Sequence, residues 1–189
     1  MTSEDILSFL EAVDVELARH ANVSERLDLH LLGRSALIIG YGVRLMTKAV
    51  DVVQDAGSRL FGIAVEKFGR ASKGHLDHNF YLEVVSSGLP PLPAGYQSRC
   101  LDIPGSWEVI RPKRPEVHDL IVTKLKRFRA GDREDITILC DTGEVDEDTL
   151  NERFDSAHLF SDMDDPKVVG AGEHLQIVSD YLRGSRKKI

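Results

Sequence analysis

The sequence predicts an α/β protein of the α+β kind, a small mixed sheet followed by a C-terminal helical extension. Three observations carry that prediction. Short β-branched or alternating runs at 27–33, 48–55 and 79–85 are separated by stretches with helical periodicity. A stretch from Gly88 to Pro115 then holds six of the seven prolines, and from Pro115 onward every apolar pattern is helical again. With 189 residues, 42% of them hydrophobic, the chain is long enough for one real core. We expect a sheet-bearing core with a proline-rich wrap over 1–113 and a helical extension over 114–189, packed on it as a single compact unit.

In chain order, residues 4–19 set Ile6, Leu7, Leu10, Val13 and Leu17 on one helical stripe, with Ser3 and Glu4 suited to its start. LDLHLLG at 27–33 alternates and ends in glycine, as a strand leading into a turn does. SALIIGYG at 35–42 reads as a short apolar helix, KAVDVVQD at 48–55 as a strand, and 57–71 as a second helix. NFYLEVV at 79–85 has the aromatic and β-branched content of a sheet strand. The strands near 28–32, 48–54 and 79–85 should share one mixed sheet, because the first connection is too short for a long crossover. The proline-rich stretch should run extended, with at most short edge strands around 97–111. Helices are expected at 115–128, 132–140, 146–156 and 171–184.

Charge and composition exclude several classes of function. A net charge of −7 gives no global positive field for nucleic acid, so a polyanion must meet a local patch. Cys100 and Cys140 are far apart and outside any C-x-x-C spacing, which argues against a zinc cage or disulfide scaffold and for a reducing compartment. The acidic, periodic N-terminus is unlike a secretory signal, and no apolar run approaches the roughly 20 residues of a membrane span. The expected location is cytoplasmic, with no membrane partner. The seven histidines, His75 and His78 among them, show no further ligand spacing and read as surface or cap residues.

The segment GRSALIIGYGVRLMTKAVDVV, Gly33 to Val53, resembles the opening signature of the nucleotidyltransferase superfamily. Among its members it is most similar to the small bacterial proteins related to abortive-infection and type IV toxin–antitoxin nucleotidyltransferases. In these a Gly-Gly or Gly-Ser turn opens a short helix, and Arg and then Thr-Lys-Asp-hydrophobic-Asp follow, the last on a strand. Gly33 and Ser35 stand at the turn, Arg44 and Thr47-Lys48 match, and Asp51 matches the second aspartate. The physical basis is plain. A glycine-lined helix start offers N–H groups to phosphates, and two carboxylates one residue apart on a strand share a face on which they can hold Mg²⁺. Ala49 occupies the first aspartate position and offers no oxygen ligand. The resemblance implies a third carboxylate from a later strand, with Glu83 as the candidate and Asp77 as the alternative.

A second block, VHDLIVTKLKRFRAGDREDITIL over 117–139, resembles the helical motif of the same relatives. Asp119-Leu120, Lys124-Leu125, Asp132 and Asp135 match, while Gly131 stands where an arginine is usual. The resemblance gives Lys124 a contact with the triphosphate and has Asp132 or Asp135 orient it or a substrate. On this basis Asp51, Glu83 and Lys124 are candidate catalytic residues, Asp51 and Glu83 candidate ligands of Mg²⁺, and Gly33, Ser35, Arg44, Lys48, Asp132 and Asp135 candidate nucleotide contacts.

Each residue also has a structural reading. Gly33-x-Ser35 is a common turn and cap, and most of the charged residues between Lys124 and Asp135 suit a solvated helix face. Trp107 reads as a packing anchor rather than a base-stacking platform. Asp51 among valines is different, because a lone carboxylate there is costly unless it is paired or faces a cleft. The resemblance and Ala49 together imply a degenerate nucleotidyltransferase-like protein that binds nucleotide and Mg²⁺ with weak or no turnover. The alternative is an active metal-dependent enzyme moving a nucleotidyl group from a nucleoside triphosphate to a hydroxyl on RNA, protein or a small molecule. A role with a partner protein, as in a toxin–antitoxin pair, or as a homodimer stays open.

Overall fold

The computed structural model describes residues 2–55, 57–86, 91–158 and 166–189. The fold is mixed α/β with a small mixed sheet and C-terminal helices. The chain divides into two compact units, one of residues 1–86 and 100–115, the other of 87–99 and 116–189. Residues 88–90 of the proline-rich stretch, with residue 87 before them, lie outside the described residues.

The first unit opens with α1, Ser3–Ala18, whose cap is Thr2 in a reciprocal pair with Asp5. Ile6, Phe9, Leu10, Val13 and Leu17 of this helix are buried, so Phe9 takes the inward place expected of Leu7. Then come β1 (Leu27–His30), α2 (Gly33–Tyr41), β2 (Ala49–Val53), α3 (Arg59–Phe68), α4 (Lys73–His78) and β3 (Tyr81–Val85). After an excursion through the other unit the chain returns with β4 (Leu101–Asp102) and β5 (Ile110–Arg114). The second helix is shorter than its sequence suggests. It stops at Gly69, and Ser72 starts α4 by accepting a hydrogen bond from the His75 N–H.

The single sheet expected for the first three strands is divided into two ladders. One has the order β1-β5-β4; the other is the parallel pair β2-β3. An isolated antiparallel bridge, Leu31 to Val52, joins β1 to β2. The cause is local, because the chain turns into α2 at Gly33 before a longer ladder can form.

The larger correction concerns the proline-rich stretch. Its strand β5 is central, parallel to β1 and antiparallel to β4, and buries Ile110 and Pro112. Pro112 is tolerated there because its carbonyl accepts from the Ile103 N–H at 2.9 Å. With no N–H to return, it ends the β4 ladder at Asp102.

The second unit is helical: α5 (Tyr96–Arg99), α6 (Val117–Leu125), α7 (Ala130–Asp141), α8 (Glu147–His158) and α9 (Pro166–Leu182). All nine residues of α6 are buried, because α7, α8 and α9 all pack against it. That explains why its polar members need internal partners. No described helix is long and apolar enough to cross a membrane. Cys140 is a free thiol, and burial pushes it up to about 12, so it is inert as a nucleophile.

Candidate functional site

In the first unit the candidate site forms where α2 begins beside β2. The Leu32 N–H donates to the Asp51 carbonyl at 2.7 Å and fixes the helix start against the strand. Gly33 follows with φ at +59°, and a Cβ built there would overlap the Asp51 carboxylate. Glycine is therefore required twice, by the left-handed backbone and by close approach. Gly33→Ala is expected to destabilise the protein by about 2 kcal/mol or more in urea unfolding. Removing the carboxylate as well, in Gly33→Ala/Asp51→Ala, should return the part due to the clash. An equal loss in both proteins would show that the clash contributes nothing.

The ladder register sets the chemistry. Ala49 pairs with Tyr81 and Asp51 with Glu83 across the parallel strands, so the two carboxylates share a face. Val50 and Val52 of β2 point the other way and are fully buried. The side chain of Glu83 is 41% exposed and its Oε2 lies 2.8 Å from Nη2 of Arg70. The same Nη2 donates to the Tyr81 hydroxyl, and the guanidinium carbon sits 4.4 Å from the Tyr81 ring centroid. The hydrogen bond from Arg70 to Glu83 holds that guanidinium above its ordinary pKa. Arg70 is the functional candidate that the sequence does not disclose. It follows the end of α3 as a lone arginine, 13 positions from Glu83, with no motif spacing.

The other predicted residues have specific employment. Ser35 is fully buried and its hydroxyl donates to the Leu32 carbonyl at 2.8 Å, closing the first turn of α2. Lys48 bonds the Asn79 side chain at 3.0 Å. Arg44 is exposed in the loop between α2 and β2. Asp77 lies exposed on α4, away from the β3 strand position that the resemblance requires. Trp107 donates from Nε1 to the Ile103 carbonyl at 2.9 Å.

In the second unit Lys124 and Asp135 form a buried ion pair at 2.8 Å, with side chains 6% and 3% exposed. Asp132 accepts from the Arg129 N–H at 3.0 Å at the start of α7 and from the Arg127 guanidinium. Burial alone would raise its carboxyl; the Arg127 hydrogen bonds outweigh that and hold it below its ordinary value. Asp119, fully buried, takes a two-point bond from Arg99 at 2.9 and 3.1 Å. Burial nonetheless pushes its carboxyl up. His118 donates from Nδ1 to Glu116 at 2.7 Å and accepts the Asp146 N–H on Nε2 at 2.9 Å, which fixes its tautomer.

The Mg²⁺ that the resemblance implies meets a poor donor set. Ala49 supplies nothing, Glu83 is held by Arg70, and among the described residues no group of three or more His, Cys, Asp or Glu is placed to hold a metal ion. These residues do not fit a resident divalent ion. Gly33, Asp51 and Glu83 thus come together in the first unit around a face that carries two carboxylates and one guanidinium.

Comparison with curated proteins and with solved structures gives no match. A sequence model of one family does match, over residues 8–172, covering both blocks quoted above. With the glycine turn against Asp51 and the paired strand carboxylates in place, the chain belongs to the family described as nucleotidyltransferase of unknown function (DUF6036).

Proposed function

We propose that this protein is a nucleotide-binding member of its family with slow or no nucleotidyl transfer, recognising a nucleoside triphosphate without a resident divalent ion. The observation that carries this reading is the carboxylate face itself. Asp51 stands against the Gly33 turn, Ala49 is in the place of the first aspartate, and Glu83 is engaged by Arg70. The turn retains N–H groups at a helix start, where the dipole favours phosphate. What is missing is the oxygen shell that would hold a metal against it. Losing one clamping carboxylate removes on the order of a thousandfold in rate in metal-assisted transfer.

Lys124 enters this reading as a structural residue. To reach a triphosphate it would have to leave a buried carboxylate, at a cost of about 3 to 5 kcal/mol. A regulatory or partner-binding role, the toxin–antitoxin relation included, is compatible with a protein that keeps the fold without turnover, and in this reading it acts in the bacterial cytoplasm.

The test is calorimetric titration of ATP into the native chain, with Mg²⁺ and with EDTA, beside an assay for transfer of labelled nucleotide to RNA or protein. The expected result is weak binding whose constant differs by less than about threefold between the two buffers, with no transfer. Robust, Mg²⁺-dependent transfer would establish the active enzyme instead. No heat in either buffer would remove nucleotides from the account.

A further inference from the structure

We propose that Arg70 is the resident cation of the carboxylate face, taking the place of a divalent ion and closing Asp51 and Glu83 to one. In a metal-binding face of this geometry, positive charge sits between carboxylates of neighbouring strands. Here Glu83 and Asp51 are register partners, and the charge beside Glu83 is a guanidinium 2.8 Å away. Tyr81 holds it in position from below, through ring stacking at 4.4 Å and a hydroxyl bond. Tyr81 is also the register partner of Ala49. The guanidinium therefore covers the position at which a carboxylate on residue 49 would project, as well as the one occupied by Glu83. The two features explain each other. An aspartate at 49 would be captured by Arg70, and a divalent ion at Glu83 would face a fixed positive charge at contact distance.

The inference goes beyond nucleotide binding and is tested without nucleotide, so a failure to bind ATP leaves it intact. The probe is Mn²⁺ alone, its free fraction followed by electron paramagnetic resonance. The proteins are the native chain, Ala49→Asp, Arg70→Gln and the double variant Ala49→Asp/Arg70→Gln. Arg70 has a largely exposed side chain, so its replacement leaves the core intact; melting curves check this for all four.

The expected result is non-additive. Ala49→Asp alone stays close to native, because Arg70 takes the new carboxylate. The double variant binds Mn²⁺ at least about tenfold more tightly than Ala49→Asp, the scale of removing one repelling unit charge beside a divalent ion. Equal affinity of Ala49→Asp and the double variant would overturn the proposal, and so would a folded double variant that binds no Mn²⁺. Should the double variant not fold, Arg70→Gln alone decides: a gain over the native chain supports the proposal, and equality overturns it.

Discussion

Asp14→Ala is expected to destabilise the first unit by roughly 3 kcal/mol or more, one of the two largest effects of any single substitution considered. Asp14 lies on the inner side of α1, 4% exposed, between Val13 and Leu17 of the apolar stripe. Its carboxylate accepts three backbone hydrogen bonds, from Glu108 at 2.7 Å, Val109 at 2.8 Å and Ile110 at 2.7 Å. These are the N–H groups at the entry to β5, where no strand partner takes them. Alanine would remove all three acceptors at once. A buried N–H left without a partner costs about 1 to 3 kcal/mol, and bonds to a charged acceptor lie toward the upper end. Some of that loss is recovered by water reaching Glu108 at the edge. Asp14→Asn keeps one oxygen and should cost about half as much. Urea unfolding followed by far-ultraviolet circular dichroism gives both values, and a loss under about 1 kcal/mol for Asp14→Ala would show that β5 is held by its ladders alone.

Asp14 also marks the limit of what the sequence discloses. Elements that rest on local patterns are legible: the apolar stripe of α1, the strand runs at β2 and β3, and the helices α6 to α9 of the second unit follow from periodicity within a dozen residues, whereas α5 at Tyr96–Arg99 lies in the proline-rich stretch read as extended chain. The candidate site is legible where its residues sit inside one motif, as Gly33 and Asp51 do. What escapes is made by partners far apart. The central place of β5 depends on pairing with β1 some eighty positions earlier, and its prolines argue locally for an edge. Arg70 becomes informative only when β3 brings Glu83 beside it. A polar residue on an apolar stripe, as at Asp14, is the one trace such partners leave in sequence. It announces that something must satisfy the carboxylate without saying what.

Lys124 is the second such residue, and its replacement is the other large effect expected. The lysine lies on a helix whose every residue is buried, and its ammonium meets the Asp135 carboxylate at 2.8 Å on α7. Lys124→Ala takes the ammonium away from a carboxylate that is itself nearly inaccessible and opens a void along the aliphatic stem. The expected cost is about 3 to 5 kcal/mol. If the pair's contribution is the mutual compensation of two buried charges, Lys124→Met/Asp135→Leu should be far closer to native than the sum of the two single variants. The cycle isolates that coupling, and a value of about 2 kcal/mol or more is expected. The result also bears on function. A large coupling means that Lys124→Ala lowers any nucleotide response by unfolding the protein, so ATP titrations of that variant are informative only well below its own melting temperature. A coupling under about 1 kcal/mol would mean that the ammonium is not committed to Asp135, and it would return Lys124 to the residues open to a triphosphate.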